Sequence, residues 1–208
     1  MMHRLLYLLL IPVTYFIFKK QYEKKRDPVT VVPIRKSNPD LETYTRLKNY
    51  SSGLLSYAKR NGYNTNYAFL VDMKIPSGSN RFFVYDFSKD SVLQSGLVTH
   101  GYGANGPAIS FSNVPGSYCT SLGKYKIGKH YYGRFGLAYK LYGLDPTNSN
   151  AINRFVVLHS HACVPASEVA PEDICMSQGC PTVAPVFLTK LQQYLDKSSK
   201  PILLYIFY

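Results

Sequence analysis

Cys180 lies in the stretch M-S-Q-G-C-P-T-V, residues 176–183, between a glycine and a proline. Four roles are open to it: nucleophile, metal ligand, half of a disulfide, or small buried apolar group. Upstream, R-F-V-V-L-H-S-H (154–161) reads as a strand that delivers two histidines to its end. A thiol reacts best as thiolate, and a positioned imidazole such as that of His159 can take its proton. Gly179 leaves room for a substrate to approach the backbone. The N–H groups of Gly179 and Cys180 can point at a developing oxyanion. An amphipathic helix begins just beyond Cys180, and a helix N-terminus favours an anion.

Other uses of the same residues stay open. His159, His161 and Cys163 alternate along one strand, so their side chains can share a face. With Cys175 and Cys180 they would offer a tetrahedral zinc site, although the spacing H-x-H-x-C followed by C-x4-C matches no common zinc module. Cys163 and Cys175 can instead pair as a disulfide across the loop before Cys180, leaving Cys119 unpaired. Reduced cysteines fit the sequence equally well. His100, in T-H-G-Y-G, ends a strand and is either a cleft residue or a histidine satisfied by backbone hydrogen bonds. Tyr131, Tyr132 and Arg134 are candidate substrate contacts, the arginine because its fork suits carboxylates.

The elements that must position these residues follow from periodicity. Residues 39–61 return Leu41, Tyr44, Leu47, Leu54, Leu55 and Ala58 at helical spacing. Asn38 or Asp40 caps the start and Asn61-Gly62 ends it. The period then changes: residues 67–74, 81–88 and 91–100 read as a strand meander broken by S-G-S-N and S-K-D. Residues 101–128 read as loop with strand fragments. Residues 140–145 and 154–162 read as further strands. Residues 185–196 form an amphipathic helix, stopped before Pro201, and I-L-L-Y-I-F-Y (202–208) closes the chain as a buried strand. No internal repeat is visible.

Composition agrees. The 208 residues are 46% hydrophobic and 17% charged, with 19 Tyr, 11 Phe and no Trp. Short β-branched and aromatic runs broken by Gly and Pro indicate a mostly β domain with a few short helices. The net charge of +12 favours anionic partners. Residues 1–26 hold six Lys/Arg against one Glu, so much of that charge stands outside the domain. No nucleic-acid module pattern is present.

Residues 5–18 (L-L-Y-L-L-L-I-P-V-T-Y-F-I-F) are nearly continuously apolar, a length that fits a signal-peptide core better than a membrane span. No A-x-A-like cleavage site follows, so an uncleaved membrane anchor fits too. The basic flank K-K-Q-Y-E-K-K-R on the C-terminal side runs against the orientation that export of the body prefers. Export is nonetheless the reading taken. It gives residues 1–26 as leader or anchor, 27–38 as a proline-containing linker, and 39–208 as the domain.

The pattern H-S-(16 residues)-S-x-G-C resembles the signature of the L,D-transpeptidase catalytic domain family, which crosslinks or trims murein. L-V-T-H-G-Y-G (97–103), residues 111–136 and Y-G-L-D (142–145) are similar to the murein L,D-transpeptidase branch of that family, so the likeness spans roughly residues 40–208. It implies a β-sandwich or barrel of packed sheets and cysteine-dependent acyl transfer on peptidoglycan stem peptides. Cys180 would become an acyl thioester and His159 would be general base, then acid. The main chain of Ser160 would orient the imidazole, Gly179 and Cys180 would form the oxyanion hole, and Ser177 is the motif serine. His100, Tyr132 and Arg134 would meet substrate. No cofactor or metal is implied, and the location would be the periplasm or cell envelope. L,D-carboxypeptidase action and a non-catalytic murein-binding role are the alternatives. Thr182 stands where the commonest form of the family has Arg, and Ser160 where Gly is commoner.

Overall fold

A computed structural model describes residues 39–103 and 109–208. The apolar segment 5–18 and the linker lie outside the described residues. No helix among them is long and apolar enough to cross a membrane.

Helix α1 (Leu41–Asn61) opens the described chain. The Asp40 side chain accepts from the Thr43 N–H at 2.7 Å, satisfying a free donor of the first turn. Gly62 closes the helix with φ +73°, which a residue with a Cβ adopts only under strain. Strands β1 (Tyr67–Asp72), β2 (Phe82–Asp86) and β3 (Ser91–Gly96) form the expected meander. Strand β4 (Gly123–Gly133) and strand β5 (Gly136–Gly143) make a long hairpin. Strand β6 (Val157–Ser160), the two-residue β7 (Thr182–Val183), helix α2 (Pro185–Lys197) and β8 (Leu203–Phe207) complete the order.

The domain is mostly β, and among the described residues the strands join into one eight-stranded sheet, ordered β3-β2-β1-β8-β4-β5-β6-β7. The C-terminal strand is the reason. β8 pairs parallel with β1 and antiparallel with β4, joining the meander to the hairpin half. Both faces of β1, β2 and β8 are covered, so these strands read as apolar runs rather than alternations. Phe69, Val71, Phe82, Val84, Leu204 and Ile206 enter one core with Phe187, Leu188 and Leu191 of α2. Ala68, Leu70, Phe83, Tyr85, Leu203 and Phe207 meet Leu47, Leu54 and Ala58 of α1 on the other face. Each fully buried leucine contributes roughly 1.5–3 kcal/mol of transfer free energy.

Strand β4 runs through sequence read as loop-rich. Tyr125 and Ile127 face the first core while Lys124, Lys126 and Lys129 break the apolar signal between them. A bulge between Ile127 and His130 then interrupts the alternation.

Candidate active site

His159 occupies β6, whose neighbours fix its surroundings. Leu158 is turned into the core, so by alternation His159 faces away from it. On one side its register partner is Ala138 of β5; on the other it is Thr182 of β7. In the parallel β6–β7 pair, register partners present side chains to the same face. The Thr182 hydroxyl accordingly lies 3.0 Å from His159 Nε2. The other ring nitrogen, Nδ1, lies 3.1 Å from the carbonyl of Ser160. A carbonyl only accepts, so Nδ1 carries a proton and Nε2 of the neutral ring holds the lone pair.

Cys180 sits in the turn just before β7. Ser177 builds that turn: its hydroxyl donates to the Cys180 carbonyl at 2.7 Å and accepts from the Gly179 N–H at 3.1 Å. Gly179 has φ +107°, and a Cβ there would stand 2.6 Å from the Cys119 carbonyl oxygen. The Cys180 thiol faces the carbonyl of Phe155 at 3.8 Å. Phe155 holds a left-handed backbone (φ +55°) and is 83% exposed, an arrangement costly for a bulky residue.

Cys180 and His159 line one cleft of about 820 Å³. Tyr102, Tyr118, Tyr131, Phe135 and Phe155 supply aromatic walls, and Arg134, Arg154 and His161 supply basic side chains besides His159; among the described residues no Asp or Glu lines it. The β4–β5 hairpin turns through Arg134 and Phe135, and the Phe135 ring stacks on the His159 imidazole, centroids 4.6 Å apart. Arg154 donates to the carbonyls of Ser112 at 2.8 Å and Cys119 at 2.6 Å, bracing the segment behind Gly179.

Burial pushes the Cys180 thiol up from its ordinary value, against the opposing effects of the Val157 backbone and the Arg154 guanidinium. Burial likewise pulls His159 down; the Ser160 carbonyl opposes this and His161 adds to it. At neutral pH the two groups are therefore thiol and imidazole, not thiolate and imidazolium.

Cys180, His159, Ser177 and Arg134 share the cleft, and Ser160 meets the imidazole through its main chain. The structure places three of the expected groups apart from the two that share the cleft floor. His100 is buried behind the cleft wall, where its Nδ1 accepts from the Arg81 guanidinium at 2.9 Å. Its backbone carbonyl does serve the site, accepting from the Ser177 N–H at 2.8 Å. Tyr132 is 78% exposed and outside the cleft lining; Tyr131, one residue earlier, lines it. Tyr131 pairs with Ala138, itself paired with His159, so parity puts Tyr131 on the imidazole's face. The Gly179 N–H is engaged by Ser177 instead of pointing at a vacant position. In addition, β7 and Ala184 separate Cys180 from the start of α2.

Cys163 and Cys175 form a disulfide, with Cα atoms 6.1 Å apart, which withdraws two of the five ligands of the zinc alternative. Among the described residues no group of three or more His, Cys, Asp or Glu is placed to hold a metal. Phe155, Arg154 and Thr182 are site residues that sequence reasoning did not assign. Only Thr182 had a signal, its place two residues beyond Cys180, the step that keeps one strand face.

Several solved structures resemble the chain at low identity. The Ldtfm–avibactam carbamoyl enzyme is 12% identical, with 69% of this chain and 49% of that chain covered and a TM-score of 0.43. The helical cell shape determining protein Pgp2 from Campylobacter jejuni is 12% identical, covering 67% and 46%, TM-score 0.40. An L,D-transpeptidase from Mycobacterium smegmatis is 13% identical, covering 69% and 59%, TM-score 0.40. The chain thus spans about half the length of these structures. No curated protein matches it. Residues 41–207, nearly the whole described domain, match the L,D-transpeptidase catalytic domain, and the chain belongs to that family.

Proposed function

We propose that this chain is a cysteine acyltransferase of murein stem peptides, an L,D-transpeptidase with Cys180 as nucleophile and His159 as base. The observation that carries this reading is the placement of both groups on one aromatic, cationic cleft with no carboxylate among its described residues. A cleft with two arginines suits a peptide bearing carboxylates.

The neutral pair sets the order of events. As Sγ of Cys180 attacks the stem-peptide carbonyl carbon, its proton passes to His159 Nε2 and the carbonyl becomes an oxyanion. The imidazolium that forms is held by the Ser160 carbonyl on Nδ1. Collapse of the adduct breaks the C–N bond; His159 returns the proton to the departing amine and a thioester remains on Cys180. The amine of a second stem peptide then attacks the thioester, gives its proton to His159, and the thiol leaves reprotonated. Water in that role makes the same site an L,D-carboxypeptidase. A disulfide beside the cleft suits an oxidising compartment, so the periplasm or cell envelope is the proposed location, with residues 1–26 as leader or anchor and 27–38 as linker.

One observation favours a non-catalytic murein-binding role: the thiol and the imidazole each contact another partner instead of one another. Intact-mass spectrometry of the 208-residue chain mixed with a murein tetrapeptide, beside Cys180→Ala, separates the readings. Acyl transfer predicts an adduct on the parent chain that is absent from the variant. Its products then distinguish an amine acceptor from water. Folded protein with a reduced Cys180 that binds the tetrapeptide but forms neither adduct nor product establishes the scaffold reading.

A further inference from the structure

The hydroxyl of Thr182 is placed to serve the base in both of its protonation states. It lies 3.0 Å from His159 Nε2 and 3.4 Å from the carbonyl of Cys180. A hydroxyl has one donor and two acceptor lone pairs and rotates to suit. Toward the neutral ring it donates to Nε2, and it gives up that single lone pair when the Cys180 proton arrives there. Toward the imidazolium it accepts from Nε2–H and turns its own proton to the Cys180 carbonyl. That carbonyl does not depend on it, since Ser177 and Thr99 already donate there at 2.7 and 3.2 Å.

Burial makes the second partner necessary. Thr182 is 3% exposed and His159 5% exposed, with the Phe135 ring stacked over the imidazole. Water is poorly able to replace a partner there, and an unsatisfied buried nitrogen is costly in either state. The register pairing of His159 with Thr182, and the Thr182 N–H bond to Thr99 Oγ1 at 3.1 Å, hold the hydroxyl in place.

We infer that Thr182 is the positioning residue of the base, a hydroxyl rotor that keeps His159 Nε2 satisfied as it gains and loses a proton. The inference rests on the proposed reading of His159 as base. The other ionisable groups described on the cleft are His161 beyond β6, Arg154 before it, Cys180 before β7, Arg134 on the hairpin turn, Tyr131 on β4, and Tyr102 and Tyr118 on the opposite loops. Each is unchanged by substitution at Thr182.

The test compares Thr182→Val, which keeps the shape and removes the hydroxyl, with Thr182→Ser, which keeps the hydroxyl. Two quantities are measured on the 208-residue chain: the His159 ring-nitrogen titration by ¹⁵N NMR, and the acylation rate by a murein tetrapeptide against pH. Hydrogen bonds to charged groups are the stronger ones, so losing the hydroxyl penalises the imidazolium more than the neutral ring. In Thr182→Val the imidazole midpoint is expected to fall by about one pH unit and acylation to slow about 10- to 100-fold. Thr182→Ser is expected to titrate with the parent and recover most of the rate. An unchanged titration in Thr182→Val, or a serine variant as impaired as the valine one, overturns the inference. If the valine variant does not fold, Thr182→Ala is measured in its place, and an unchanged His159 titration there overturns the inference. The titration needs no turnover. A parent chain that is never acylated therefore refutes the acyltransferase reading while the Thr182–His159 coupling is judged separately.

Discussion

His100 gives the domain an acid weakness that reaches the site. Its Nδ1 accepts a hydrogen bond from Arg81, a guanidinium that is itself fully buried. Arg81 also donates to the Val98 carbonyl at 2.9 and 2.8 Å and is always a donor. Burial first, and then the Arg81 charge, push His100 down to about 4 from its ordinary 6.5. The native state therefore binds fewer protons than the unfolded chain between these values. Stability is fully present above pH 6.5 and is lost as pH falls toward 4. The linkage amounts to about 3 kcal/mol, taken as about 2 kcal/mol after allowing for solvent at the ring edge. For a domain of this size that corresponds to a fall in Tm of about 4–8 °C. The assay is thermal unfolding of the parent and of His100→Asn at several pH values from 7.5 to 4.5, at constant ionic strength. The amide oxygen of Asn replaces Nδ1 as acceptor and does not titrate. The variant is expected to start less stable, having lost ring volume, but to show a flatter pH slope over this window. Parallel slopes for the two proteins would falsify the argument. Depressed carboxylates such as Asp40 and Asp86 act in a lower window, below pH 4, and do not mimic the effect. Because the His100 carbonyl holds Ser177, activity is expected to fall within the same window.

Gly179→Ala places a Cβ 2.6 Å from the Cys119 carbonyl at a φ that only glycine adopts freely. Backbone strain alone costs roughly 1–2 kcal/mol; a tetrapeptide acylation rate within about twofold of the parent at equal folding would refute the tight-turn account. The Cys163–Cys175 bond closes a loop with sequence separation 12, worth about 3 kcal/mol through the unfolded state. The paired Cys163→Ser, Cys175→Ser variant is expected to unfold at lower urea, and an unchanged midpoint would refute that contribution.

The sequence was legible where a residue's neighbours in the chain decide its state. Helix α1 is one case: its apolar spacing, Asp40 cap and Gly62 stop are local signals, and the helix spans Leu41–Asn61. The strand carrying His159 is another, though β6 is shorter than its apolar run because residues before Val157 turn to bring the Phe155 carbonyl to the thiol. Legibility failed where a distant partner decides. The first half of strand β4 alternates lysine with apolar residues inside sequence that reads as loop with strand fragments; it is a strand because β8, some eighty residues later, supplies its hydrogen bonds. His100 in T-H-G-Y-G reads as a cleft residue or as a histidine satisfied by hydrogen bonds, and it is Arg81, distant in sequence, that bonds its ring.

Register is the quantity that separates these cases, and it has a functional consequence. The choice between Tyr131 and Tyr132 is a matter of one residue of phase in β4, and the pairing with Ala138 resolves it. The same arithmetic puts Thr182 beside His159, two residues beyond Cys180 and across a parallel pair only two residues long. The S-x-G-C motif therefore carries the nucleophile, while the register of β7 against β6 carries the second partner of the base. A one-residue slip in β7 would leave the motif intact and turn the Thr182 side chain to the opposite face. The Thr99 hydroxyl opposes such a slip by accepting from the Thr182 N–H while the Thr99 N–H donates to the Thr182 carbonyl at 2.9 Å. Thr99 is thus tied to the base through the backbone of β7, although its side chain does not touch the imidazole.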